Sequence, residues 1–197
     1  MKELQIKRHR RLRSSESMRQ MVAETNLHIH DLIYPLFIIE GKKLRREIPS
    51  MPGIYQLSLD QLAEEITEIV QLGIRAVLLF GIPHEKDPLG QGAYDENGIV
   101  QKATRLIKQI APDLLVIADT CLCEYTDHGH SAVVEERLID NDASLKLLGE
   151  TAVAQARAGA DIIAPSNMMD GFVTYIRQAL DQAGFLDLPI MSYAVKY

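Results

Sequence analysis

The chain has 197 residues, 47% of them hydrophobic and 24% charged, with a formal net charge of −6. These are ordinary proportions for a globular protein with one core, and the negative balance argues against a general nucleic-acid binder. No apolar run approaches the roughly 18 residues a membrane span needs, and no signal-peptide pattern opens the chain. The only two cysteines, Cys121 and Cys123, are separated by one residue, so a disulfide between them would staple almost nothing; a reduced, cytoplasmic setting is expected.

Residues 1–16 read as a basic arm, with Lys2, Lys7, Arg8, Arg10, Arg11 and Arg13 set against Glu3 as far as residue 13. Such an arm is either a solvated tail or a segment that reaches onto an acidic neighbouring subunit, and composition leaves both open. The rest, 17–197, reads as one domain, with no internal repeat or low-complexity linker. Ser17 to Glu24 is expected as a short helix. Asp31 to Ile39 follows as a buried strand, its continuous apolar run weakened by Pro35, which gives up one ladder hydrogen bond.

Ser58 to Val70 has helical spacing, with Leu59, Leu62, Ala63, Ile66, Ile69 and Val70 on one face. Ser58 and Gln61 form a capping-box pattern and Gly73 is a natural stop. Ala76 to Phe80 reads as the second strand, and Ile99, Val100, Ala103, Leu106, Ile107 and Ile110 are carried by a second amphipathic helix. Leu114 to Asp119 is the third strand, followed by a helix from Leu145 to Ala158, a fourth strand at Asp161–Pro165 and a helix from Met169 to Ala183. Pro189 to Tyr193 is expected as a fifth strand. This alternation implies parallel pairing. A (β/α)8 barrel needs eight such units, whereas an open doubly wound sheet can stop at five.

Polar residues gather just after the strand C-termini, where active sites sit in either architecture. The densest segment is Asp119-Thr-Cys-Leu-Cys-Glu-Tyr-Thr-Asp-His-Gly-His130. Cys121 and Cys123 alternate in a segment read as extended, so both thiols can face one side. A catalytic zinc takes three protein ligands, and His128 and His130 are candidates to complete the set, although a lone C-x-C also occurs among packed cysteines. Lys196 follows the fifth strand, where a lysine can form an imine with a carbonyl substrate. Its ordinary pKa of about 10.4 would have to fall by burial to free the amine. Asp119, Ser166 and Asp170 each follow a strand and could orient a substrate or manage a proton, with helix capping as the plain alternative for Ser166. Met168 and Met169 suit a core better than a cofactor contact.

Taken together, five segments resemble the porphobilinogen synthase (5-aminolevulinate dehydratase) family. They are Asp31 to Gly41, Leu79 to Pro83, Asp119 to His130, Ala164 to Gly171 and Pro189 to Lys196, in order and at matching intervals. The resemblance implies a TIM barrel of which about the first five β/α units are present, preceded by an extended N-terminal arm. It implies condensation of two 5-aminolevulinate molecules to porphobilinogen in heme biosynthesis, with Lys196 as a Schiff-base lysine. Cys121 and Cys123 would be zinc ligands, and Asp119 and Ser166 would line the substrate pocket. It also admits magnesium, and it implies a homo-oligomer, commonly an octamer, held through the arm.

Three departures stand out. Ser131 occupies the position of the third cysteine in the zinc-dependent pattern, and a hydroxyl is a poor zinc ligand, so zinc is expected to be weakened, completed by water or a histidine, or absent. Asn167 and Phe172 stand where Asp and Arg are commonest. The family's second Schiff-base lysine, in a Lys-Pro segment, and its carboxylate-binding arginines have no counterpart in these residues. The chain therefore reads as lacking the C-terminal portion and as inactive alone. The competing readings are a non-catalytic remnant assembling with intact subunits, and another imine-forming barrel of aldolase type.

Overall fold

The computed structural model describes residues 7–136 and 138–194. Along them run α1 (Glu16–Met21), β1 (Ile33–Ile39), β2 (Arg45–Ile48), β3 (Met51–Leu57), α2 (Leu62–Gln71), β4 (Ala76–Ile82) and α3 (Ile99–Ile110). There follow β5 (Leu115–Thr120), β6 (Val133–Glu135), β7 (Leu138–Asp140), α4 (Asn141–Arg157), β8 (Ile162–Pro165) and α5 (Phe172–Gln182). One sheet has the order β2-β3-β1-β4-β5-β8, in which β1, β4, β5 and β8 are parallel neighbours.

The alternation of side chains along these strands separates the sheet's two faces. Leu36 and Ile38 of β1, Val77 and Leu79 of β4, Val116 and Ala118 of β5 and Ile163 of β8 all enter the main core. Buried apolar residues of α2, α3, α4 and α5, among them Ile66, Ile107, Leu148 and Ile176, join them there. The opposite face carries a smaller cluster of strand residues only: Ala76, Ile117 and Ala164, with Leu78 and Ile162 against them. Helices on one face alone make the wall of a barrel; a doubly wound sheet has helices on both.

Several expectations change in detail. Between β1 and α2 lies an antiparallel hairpin, β2–β3, that the strand–helix alternation did not anticipate. It brings Leu44 beside Ser58, whose Oγ accepts from the Leu44 amide (2.9 Å) and donates to Asp60 Oδ1 (2.7 Å). Ser58 thus makes no cap: a 3-10 turn, Leu59–Gln61, intervenes before α2. On α2, Leu62, Ile66 and Ile69 are buried as expected, but Ala63 and Val70 are exposed. The hairpin is tied down through Arg45, which lies over the Tyr55 ring (4.0 Å) and pairs with the buried Glu65 at 2.8 Å. Glu65 also accepts from the Tyr34 hydroxyl (3.0 Å). Burial first, and then this carboxylate, push the Tyr34 phenol up to about 12.

Helix α4 begins earlier than its apolar spacing suggests, because Asp140 caps it by accepting from the Ala143 amide (3.0 Å). Helix α5 begins later, after Gly171 in the left-handed region. The fifth strand is reduced to a single bridge, Ile163↔Ile190. Its backbone nevertheless follows β8, through Ile163 N–H to Pro189 O, Met191 N–H to Ile163 O and Tyr193 N–H to Pro165 O.

Pro35 sits inside β1 without breaking it, for a geometric reason. The Glu40 amide donates to Ile82 O on β4, so alternate residues of β1 turn their N–H groups that way and Pro35 faces the other side. There β3 pairs only with Phe37 and Ile38, so no partner misses the donor. Residues 7–33, which include the described part of the arm, are exposed apart from the half-buried Met18. Among the described residues no helix is long and apolar enough to cross a membrane.

Candidate active site

The β5 pleat that sends Val116 and Ala118 into the helix-side core turns Ile117 and Asp119 to the opposite, inner face. On the neighbouring strand Ala164 lies opposite Asp119, and Ser166 follows two residues later on the same side. Both Asp119 and Ser166 are 7% exposed. Ser166 does not cap α5, whose N-cap is Gly171. The Tyr193 hydroxyl donates to the Asp119 carboxylate; burial, then the charge of Asp119, hold that phenol well above its ordinary value. Phe37 and Phe80 stack at 5.0 Å on adjacent strands nearby.

Past β5 the chain does not stay extended. It curls, with the amides of Tyr125 and Thr126 both donating to Leu122 O at 2.9 Å. The curl drives Leu122 into the main core at 0% exposure and folds Cys123 back onto Cys121. Their sulfurs lie 3.0 Å apart, Ser131 Oγ is 3.1 Å from Cys121 Sγ, and Cys123 Sγ is 3.3 Å from Glu124 Oε2. The ligand atoms of Cys121, Cys123 and Glu124 all lie within 4.8 Å of one another, a donor group able to hold a metal ion. Two thiolates on one tetrahedral zinc lie about 3.8 Å apart, so the pair needs to open by less than about 1 Å to accept one. The residues fit a divalent ion.

The expected histidine ligands are not part of this group. His128 Nε2 contacts Pro88 O (3.2 Å) and its Nδ1 accepts from the His130 amide (3.2 Å), while the two rings lie tilted together at 5.5 Å. Asp170 is exposed and its amide is held by Asn141 Oδ1 (2.8 Å). Met169 is core, at 3% exposure, but Met168 is 57% exposed. Phe172 packs against the main core. Lys196 lies outside the described residues.

Two residues that periodicity could not single out secure the backbone of the site. Gln155 of α4, 1% exposed, donates to Asp119 O (2.7 Å) and accepts from Thr120 Oγ1 (2.6 Å). Asn167 Nδ2 donates to Thr120 O (2.7 Å), a bond that an ionised aspartate at this position could not make. Glu124 was equally silent in the sequence, being one acid among many.

The thiol pair is electrostatically asymmetric. The hydrogen bond from Cys121 lowers the Cys123 thiol below its ordinary value, whereas the same bond, and then burial, raise Cys121. In protein stripped of metal, iodoacetamide at neutral pH is therefore expected to label half-buried Cys123 first. Cys121→Ala should slow that labelling by removing the donor; equal labelling of both cysteines would contradict the assignment.

The family model of delta-aminolevulinic acid dehydratase matches residues 6–197. The curated delta-aminolevulinic acid dehydratase of Halalkalibacterium halodurans is 65% identical over 195 residues, covering 99% of this chain and 60% of that protein. That of Bacillus subtilis is 61% identical over 190 residues, covering 96% and 59%. A solved structure of delta-aminolevulinic acid dehydratase (porphobilinogen synthase) from Toxoplasma gondii ME49, in complex with the reaction product porphobilinogen, is 38% identical with a TM-score of 0.92. It covers 98% of this chain and 55% of that one. The one-faced α/β wall described above is thus part of a TIM barrel, and the chain spans about 60% of the length of the curated relatives it matches. With sequence matched almost from end to end and backbone superposing on a solved member, the chain belongs to the delta-aminolevulinic acid dehydratase family.

Proposed function

We propose that this sequence carries one part of a porphobilinogen-forming hydro-lyase of heme biosynthesis, which joins two 5-aminolevulinate molecules with loss of two waters. The observation that carries the reading is the convergence of Asp119, Ser166 and the Cys121–Cys123 pair at the C-terminal ends of two adjacent parallel strands, in a chain of this family.

Lys196 is the residue to which we assign imine formation with the substrate ketone; the amine attacks the carbonyl carbon and one water leaves. Tyr193, three residues earlier, is bonded to Asp119, which supports a pocket shared by that carboxylate and the lysine's segment. Asp119 is suited to orient the substrate amine or take up a proton. Ser166 is suited to hydrogen-bond the same substrate. Cys121 and Cys123 would hold a zinc ion, which supplies Lewis-acid polarisation when bound. The exposed basic arm supports assembly with further copies, and the free thiols suit the cytoplasm.

The test is borohydride trapping. In full-length protein carrying this sequence, 5-aminolevulinate should leave a reduced adduct on Lys196 that Lys196→Arg abolishes, and an aldol substrate should leave none. An adduct only at another lysine would sink the assignment. A polypeptide of residues 1–197 alone should form no porphobilinogen.

A further inference from the structure

This chain has two cysteines, and Ser131 stands where the resemblance described above implies a third. We propose that Glu124 is the third anionic donor, so that Cys121, Cys123 and Glu124 together bind a divalent transition metal ion of the zinc class. This inference rests on the metal-holding part of the reading above and goes beyond it in naming the ligand that replaces the missing thiolate.

Three observations carry it. The Glu124 carboxylate already meets the thiol pair: its Oε2 accepts from Cys123 Sγ, and the three ligand atoms fall within 4.8 Å of one another. Ser131 Oγ reaches Cys121 Sγ, so the serine still faces the cluster but contributes only a neutral oxygen. Of the two candidate imidazoles, His128 has backbone partners for both ring nitrogens at Pro88 and His130, and neither His128 nor His130 falls within the converging group. Among the described residues no other group of three such ligands converges.

The chemistry of the exchange is specific. Two thiolates and one carboxylate carry the same formal charge, −3, as three thiolates, so attraction for a divalent cation is retained. What changes is softness: one sulfur is replaced by a hard oxygen. The site should therefore discriminate less strongly in favour of soft ions such as Cd2+ than a three-thiolate site does.

The test is a double-mutant cycle read by Co2+ titration of metal-free chain, following the sulfur-to-cobalt charge-transfer absorption, with Zn2+ competition for affinity. Loss of even an outer partner of a metal site costs about 10–100-fold in affinity, so loss of a direct ligand should cost at least about tenfold. Glu124→Gln is nearly isosteric on a half-buried loop side chain, and should lower affinity by that amount with the charge-transfer band from two sulfurs retained. Glu124→Asp should fall between the two. Ser131→Cys should bind more tightly than wild type and add sulfur-to-cobalt intensity. In the Ser131→Cys background, Glu124→Gln should cost less than about threefold, because a third thiolate is then present.

If Glu124→Gln leaves Co2+ and Zn2+ affinity unchanged, or costs the same in both backgrounds, the inference is overturned while metal binding by the cysteines stands. If the wild-type chain takes up neither ion, the metal-holding reading fails with it. Far-UV circular dichroism of each variant separates a lost ligand from a lost fold.

Discussion

Gly81→Ala should destabilise the chain by about 1–3 kcal/mol, the usual cost of forcing a methyl group into a filled core. Gly81 lies in β4, and a Cβ there would run into the Tyr125 hydroxyl, with Val100 Cγ2 at 2.8 Å and Ile99 Cγ2 at 3.0 Å. None of these can step aside easily. Tyr125 is 5% exposed, and Ile99 and Val100 are buried where α3 begins. The effect should also reach the candidate metal ligands, because Tyr125 directly follows Glu124. Urea unfolding monitored by circular dichroism gives the stability, and Co2+ titration gives the affinity. Removing the obstructing oxygen in Gly81→Ala/Tyr125→Phe should recover part of both. If Gly81→Ala unfolds at the wild-type urea midpoint, the close packing of β4 against the cysteine loop is wrong.

Leu122→Ala should cost more, about 2–5 kcal/mol, the range for emptying a buried leucine site. Leu122 is 0% exposed and belongs to the main core although its neighbours on both sides are candidate metal ligands. It acts as the anchor of the curl, since its carbonyl takes two amides and its side chain is locked among the helices and strands. Truncation should therefore loosen both sulfurs together. Cys121, buried in the wild type, should become open to iodoacetamide at a denaturant concentration below the global midpoint. A loss of under about 1 kcal/mol, with Cys121 still protected, would show that the loop is held by something else.

Much of the parallel framework was legible in the sequence because continuous apolar runs and 3.6-residue periodicity report burial directly. The strands at Ile33–Ile39, Ala76–Ile82 and Leu115–Thr120 and the helix at Ile99–Ile110 all lie where those patterns put them. The hairpin of β2 and β3 was hidden because its residues are mostly polar or half-exposed, with Pro49 in its two-residue turn and Pro52 inside β3. The start of α4 was misplaced because a capping aspartate sets it, ahead of the apolar stripe.

At the site, Asp119, Cys121, Cys123 and Ser166 were legible as a chemistry-rich cluster beyond strand ends. Gln155 and Tyr193 were not, because their partners are reached only through folding: Gln155 finds Asp119 across 36 residues of chain. The C-x-C segment expected as extended is a turn, and neither His128 nor His130 joins the converging group, the His128 ring nitrogens being held by Pro88 O and the His130 amide.

The proline in β1 has a consequence for solubility. An exposed sheet edge recruits further strands by offering an unbroken row of donors and acceptors. On the side of β1 away from β4, β3 covers only Phe37 and Ile38, which leaves Ile33 to Leu36 uncovered by it. Within that stretch the outward-facing donor at Pro35 does not exist. A stray strand laid alongside it would meet a gap in the ladder midway, so this edge is a poor template for aggregation even though its side chains are apolar.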